Sequence, residues 1–315
     1  WTYPSLKTTD KSYVFYNRPS TQGGAYDKNK FLYELEPFLF DSLLAFKADE
    51  VEFKGKLVSA GIFPDIVEPI GIQKDLALGF QTKRTALPMY GSKGTFSSTI
   101  SLDNRGLLGN GSINYLTSVT KSDHFVFLPD STTGKAQSFD MTATTLGGVD
   151  YPTVNGNNVG VSWKPYSDSM MVKTDSVPFK MFGKETDMTG TLVLTPKGLK
   201  GSGTVDWADA TLKSGDINFG KNKMQSDTSD FVIKSIDPNK FALSTKNVNS
   251  NIDFDKQVGD FKSNTDDIAT ELPYNQYRTS INEFHWDMAK KNVKFVKKYH
   301  AIIYMKIWKI LKMPK

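Results

Sequence analysis

The chain has 315 residues, no cysteine and a net charge of +5 from 39 basic and 34 acidic side chains. The lack of cysteine excludes disulfides, thiolate metal sites and a cysteine nucleophile, and a charge so near balance implies no broad nucleic-acid footprint. The 21 Phe, 13 Tyr and 5 Trp supply bulk for a core although only 38% of residues are hydrophobic, and no run approaches the ~20 apolar residues of a spanning helix.

A start at Trp1 instead of Met, with no secretory signal, reads as a fragment or mature product. The first 30 residues are polar and turn-rich and read as an irregular lead-in. From Pro37 a short helix is expected near residues 37–46, with proline at its first position and Phe38, Leu39, Leu43, Leu44 and Phe46 on one side. From Val51 the pattern changes to period two (Val51, Phe53, Leu57), punctuated at Gly61, Pro64, Pro69 and Gly71. Short strands broken every ~8–12 residues by turn residues mark an all-β chain. No strand–helix alternation is visible, which disfavours a parallel α/β fold.

An internal similarity at an offset of 92 is the strongest signal. Met89–Tyr115 aligns with Met181–Trp207, placing Gly91, Gly106, Gly109 and Gly111 on Gly183, Gly198, Gly201 and Gly203. Random placement gives ~0.1 coincident glycine pairs over such a stretch at ~7% usage; four are present. In the first copy Ile100 and Leu102 share one strand face. Asn104–Arg105–Gly106 makes a tight turn with glycine free to take positive φ. Gly109 and Gly111 mark a close approach of backbone, and Ile113 and Tyr115 complete the hairpin. The second copy does the same with Leu192, Leu194, Pro196–Lys197–Gly198, Leu199, Val205 and Trp207. Tyr115 and Trp207 are expected to be core pillars.

Weaker echoes follow, from Ile252 and Phe254 to Gly259 and Phe261, and from Phe284 and Trp286 to Val293 and Phe295. From Lys290 onward the chain has nine lysines among Ile, Trp and Tyr, with no glycine and no acid. That composition reads either as a basic amphipathic surface segment or as a truncated end outside the fold. The expected organisation is a lead-in and capping segment over 1–50, β units over 51–150 and 151–240, a partial unit over 241–290, and a basic tail over 291–315.

An isolated hairpin is marginal in water, so units of this kind must stack to bury a continuous apolar stripe. The expected fold is an elongated array of antiparallel hairpins, either a β-solenoid or an open curved sheet.

Chemistry-bearing motifs are sparse. The histidines are His124, His285 and His300. No nucleophile elbow, zinc-protease helix or phosphate loop occurs. Glu283, His285 and Asp287 share one strand face, and converging donors of these types bind metal. Neighbours two apart on a flat strand stand ~7 Å apart, so this face reads as solvated. Asn251, Asp253 and Asp255 read the same way, and Asp227 and Asp230 read as an acidic turn; neither spacing fits a calcium loop. No catalytic, cofactor-binding or metal residue is assigned, and no cofactor is expected.

Phe53–Lys54–Gly55, Ser59–Ala60–Gly61–Ile62–Phe63–Pro64–Asp65–Ile66 and Asp227–Thr228–Ser229–Asp230–Phe231 resemble segments of large β-repeat proteins of bacterial cell envelopes. More loosely, the hairpins are similar to periplasmic curved sheets that carry lipid and to right-handed β-helix proteins. The resemblance implies an exported envelope location, in periplasm, outer membrane or cell surface, with neighbouring repeats of a longer chain as partners. It names no activity.

The expected function is a non-enzymatic scaffolding or adhesive segment. One alternative is a carbohydrate-active or carbohydrate-binding β-helix module with exposed aromatics and clustered acids on one face. Another is a lipid conduit with Ile100, Leu102, Leu192 and Leu194 lining an open groove. Envelope lipid or glycan are the ligands these alternatives imply; nucleic acid is not expected.

Overall fold

The computed structural model describes residues 4–41, 50–183, 185–237, 240–265, 270–280, 282–296 and 303–304. These are almost entirely antiparallel strands; the helical turns with described bounds are the short 3-10 turns Gln22–Gly24 and Pro165–Ser167. Among the described residues no helix is long and apolar enough to cross a membrane. The chain divides into two compact units, residues 1–140 with 157–172, and residues 141–156 with 173–315.

In the first unit the amino-terminal region is built into the fold, which corrects the expected irregular lead-in. Ser12–Phe15, Phe31–Leu35, Gly55–Ser59 and Ile66–Val67 form a four-stranded sheet. Tyr16, Tyr26, Phe31 and Tyr33 from this region are buried. The Tyr26 hydroxyl donates to the Phe127 carbonyl at 2.8 Å and accepts from the Leu107 amide at 3.0 Å. It therefore ties the amino-terminal segment to the edge of the next sheet.

The helix expected near residues 37–46 is also corrected where it can be seen. Leu39–Phe40 is a strand paired with Leu6–Lys7, and residues 42–49 lie outside the described residues. Phe38 and Phe40 are two apart, and both rings pack on Phe53, at 4.8 and 5.1 Å between centroids. A spacing of two serves a strand face better than a helix face.

The main sheet of the first unit runs through Leu78–Met89, Gly94–Asp103, Gly106–Tyr115 and Ser118–Phe127 as an antiparallel meander. In the second unit Thr186–Thr195, Gly198–Trp207 and Ala210–Phe219 do the same. Every bound of these three strands equals that of Gly94–Asp103, Gly106–Tyr115 and Ser118–Phe127 plus 92. The ladders agree as well. Ile100 faces Gly109 and Leu192 faces Gly201; Tyr115 faces Ser118 and Trp207 faces Ala210. Both copies carry a bulge at the same place, between Gly109 and Gly111 and between Gly201 and Gly203.

Each bulge is held by a buried serine. The Ser122 hydroxyl accepts from the His124 amide at 3.0 Å and donates to the Lys135 carbonyl at 2.7 Å. Ser214 accepts from the Asp216 amide at 3.0 Å and donates to the Thr228 carbonyl at 2.7 Å. The extra residue breaks the in–out alternation, leaving Asp123 with His124, and Gly215 with Asp216, exposed side by side.

The apolar faces are sealed. Ile100, Leu102, Ile113, Leu192, Leu194 and Val205 have no exposed surface. In the first unit Phe63 and Phe96 meet Phe127 at 5.1 and 5.2 Å, and Tyr90 and Tyr115 meet Trp163 at 5.3 and 5.1 Å. In the second unit Phe231 stacks on Phe261 at 4.0 Å and Phe261 on Phe284 at 4.7 Å. Burying each such ring contributes ~1.5–3 kcal/mol.

After Lys223–Lys234 the second unit continues through Phe241–Asp253, Val258–Ser263, Glu283–Asp287 and Asn292–Phe295, each hydrogen-bonded to the one before. Both weaker echoes in the sequence are therefore hairpins. The tail expected from residue 291 enters the fold at its start, because Val293 and Phe295 pair with Trp286 and Phe284. Further on, Ile303–Tyr304 pairs with Thr279 and Arg278.

Two predictions follow from the packing. A Cβ on Gly109 stands 2.6 Å from Phe127 Cε2, and one on Gly201 stands 2.6 Å from Phe219 Cε2. Gly109→Ala and Gly201→Ala should each destabilise by about 1–3 kcal/mol through overpacking. Gly215→Ala, with nothing within 4 Å of its Cβ, should stay within about 0.5 kcal/mol. Urea midpoints of the three variants check this.

The second concerns alkali. Burial pushes the Tyr26 hydroxyl up to about 12 and raises Tyr16, Tyr33 and Tyr90 as well. An unfolded tyrosine ionises near ~10, so the folded state holds fewer ionised tyrosines above that pH. Stability should be level up to about pH 10 and fall as pH rises through about 12. Tyrosinate absorbance and circular dichroism recorded together should move in one step in that window.

Candidate functional site

The residues singled out in the sequence do not converge. Glu283–Asp287 is a strand with Phe284 and Trp286 inward and Glu283, His285 and Asp287 outward. His285 pairs across the ladder with Asp260, Nδ1 to Oδ1 at 2.7 Å. Asp287 accepts from the Lys290 amide at 2.9 Å and from Lys290 Nζ at 3.0 Å. The Lys290 amide, with its ammonium, holds the Asp287 carboxyl below the ordinary carboxylate range. Among the described residues no three His, Asp or Glu side chains are placed to hold a metal ion. His124 is exposed in the first bulge, and His300 lies outside the described residues.

Asp253 does not share a solvated face with Asn251 and Asp255. It is 9% exposed and caps its hairpin turn, accepting from the Lys256 and Asp255 amides at 3.0 and 3.1 Å. Lys223 Nζ stands 3.2 Å away. The Lys256 amide is the main reason its carboxyl sits below the usual range. Asp103 plays the same part in the first unit, accepting from the Arg105 amide at 2.8 Å. Asp227 and Asp230 are within the strand Lys223–Lys234, not in a turn. Asp230 Oδ1 accepts from the Asn247 amide at 3.2 Å, and Asp227 Oδ1 accepts from Asn249 Nδ2 at 3.1 Å. These carboxylates secure backbone and neighbouring side chains.

Tyr115 and Trp207 are buried, as core pillars should be. Ile100, Leu102, Leu192 and Leu194 face sealed interiors, not an open groove.

The feature missed in the sequence is a cleft of about 440 Å3 in the second unit. Its floor is two cross-strand pairs, Ile233 with Leu243 and Trp286 with Val293. Leu272 adds to the apolar wall, and Tyr274 and Asn275 stand at its mouth beside Ala242. Lys234, Lys291 and Asp209 are the charged residues of the lining. Lys234 Nζ donates to Asp206 Oδ1 at 2.7 Å and to the Trp207 carbonyl at 2.6 Å. Lys291 Nζ lies 3.7 Å from Asp209 Oδ1, with 78% of its side chain exposed. Exposed hydrophobic groups gather in the same stretches of chain: Ile236 is 94% exposed, and Phe241, Tyr274 and Tyr277 are about half exposed. Lys240 Nζ sits 5.5 Å over the Tyr274 ring.

No family model matches the chain, and neither does any curated protein or solved structure.

The exposed His285–Asp260 contact should act as a surface hydrogen bond and no more. His285→Ala and Asp260→Ala are each expected to change stability by less than about 1 kcal/mol. Added zinc should leave the thermal midpoint of the parent protein unmoved. A zinc-dependent rise lost in His285→Ala would contradict this.

Proposed function

We propose that the chain is a non-enzymatic, structural or adhesive β segment of an exported bacterial envelope protein. One observation carries the reading. The meander over residues 94–127 recurs over 186–219 with the same strand bounds, ladders and bulge. Tandem duplication of one unit leaves this mark, and stacked copies of a unit with one apolar face extend a structure without needing a reactive site. Each copy spends its aromatic side chains on its own core. Most carboxylates with a described partner hold backbone amides or surface lysines. The envelope part of the reading is supported by the resemblance of residues 53–55, 59–66 and 227–231 to segments of such proteins.

A structural segment outside the cell must resist proteases, and cleavage of a folded strand needs that strand to open first. Native trypsin digestion should give no cut inside the strands between Leu78 and Ser263, although lysines lie on most of them. A panel of polysaccharides should yield no new reducing ends. Rapid cleavage within Gly94–Phe127 or Thr186–Phe219 would overturn the structural reading. So would polysaccharide turnover abolished by a single carboxylate change, which would favour the carbohydrate-active alternative.

A further inference from the structure

The cleft of the second unit has a combination of features that a structural role leaves unused. Soluble proteins rarely leave a contiguous apolar patch open beside a cavity unless something occupies it, and about 440 Å3 is within the size range of small-ligand sites. The apolar lining residues Ile233, Leu243, Leu272, Trp286 and Val293 carry no charged group. All charge is at the edge. Two ammonium groups, Lys234 and Lys291, and one carboxylate, Asp209, are in the lining, and Asp206, outside it, pairs with Lys234.

The hydrogen bonds show which donors remain. An ammonium has three N–H groups. Lys234 uses two of them, on Asp206 and on the Trp207 carbonyl, and these bonds hold it in place with the third to offer. Among the described residues Lys291 is held by the long contact to Asp209 alone, on a largely exposed side chain. An exposed ion pair of that length is weak, so an arriving anion can take Lys291 over at little expense. An apolar floor with a fixed and a movable cation at its rim is complementary to a molecule with one apolar chain and one anionic head.

We propose that this cleft binds a single-chain anionic amphiphile, its hydrocarbon chain on the Ile233–Leu243 and Trp286–Val293 pairs and its head between Lys234 and Lys291. Tyr274 and Asn275 at the mouth flank the head. A free fatty acid and a monoacyl phospholipid share this chemistry. The assignment goes beyond the structural reading and does not depend on it.

The test uses the full chain, with sodium dodecanoate and dodecanoyl lysophosphatidylglycerol below their micellar concentrations and dodecanol below its solubility limit as probes. Binding is read by tryptophan fluorescence and by native mass spectrometry. The parent chain should bind one dodecanoate saturably and dodecanol more weakly. Lys291→Ala should weaken dodecanoate by up to about 5-fold, the upper range for one exposed charge pair, and leave dodecanol unchanged. Ala242→Trp, at the half-exposed mouth, should abolish both while the circular dichroism spectrum stays that of the parent. Saturable binding of the lysophospholipid at equal or higher affinity would assign the site to membrane lipid; preference for dodecanoate would assign it to free fatty acid. The proposal falls if the parent chain shows no saturable binding of either anion. It also falls if folded Ala242→Trp binds as the parent does, or if dodecanol binds as tightly as dodecanoate. None of these results bears on protease resistance, so the structural reading stands or falls separately.

Discussion

A phenyl ring from one strand lies against the bare backbone of its neighbour, Phe127 on Gly109 and Phe219 on Gly201. The rest of the meander depends on that approach. It sets the register of the central hairpin, because shifting the ladder by one residue would put a side chain under the ring. It also draws the third strand close enough for its serine to reach the amide released at the bulge. Ser122 and Ser214 stand three residues before the aligned partners of those glycines, Phe125 and Ile217. Glycine, ring, bulge and serine thus form one device, and it occurs in both units.

The same device explains how a chain with a modest apolar content seals two cores. Half of each strand faces inward, and the inward half is enriched in rings. Rings fill volume with few residues, which leaves the outward half free for Lys, Asp, Ser, Thr and Asn. The ion pairs on that outer face, such as Lys200 with Asp216 and Lys180 with Asp187, add little to stability singly and keep the long sheet surface polar.

The hairpins around Gly106 and Gly198 were legible in the sequence because everything that specifies them is local: a period of two, a two-residue turn and a glycine at positive φ. The hairpins at Asp253–Val258 and Asp287–Asn292 carry a weaker mark, a period of two on either side of a four-residue turn whose positive-φ residues are Gln257 and Lys291. The amino-terminal sheet was not legible. Phe31–Leu35 finds its partner at Gly55–Ser59, twenty or more residues on, and no local pattern declares that pairing. Pro37 suggested a helix start, and the spacing of Phe38 and Phe40 told for a strand only once Phe53 supplied a third ring. The cleft was hidden for a similar reason. Its lining comes from segments near 208, 233, 243, 273, 286 and 292, each an ordinary edge or turn in isolation, and only the fold makes them neighbours.

The division of the chain also has a practical side. Residues 141–156 belong with the second unit although residues 157–172 belong with the first. The polypeptide therefore leaves the first unit, returns to it and leaves again. No single cut separates the two: a stop after Asp140 deprives the first unit of Asn157–Val172 and its buried Trp163, and a start at Lys173 deprives the second of Tyr151 and Val154. Anyone dissecting this protein into expressible pieces will need internal deletions, 141–156 from the first piece and 157–172 from the second, so that each unit's two segments are joined. The same division means that natural loss of either unit alone requires the removal of two separate stretches of the gene, not one.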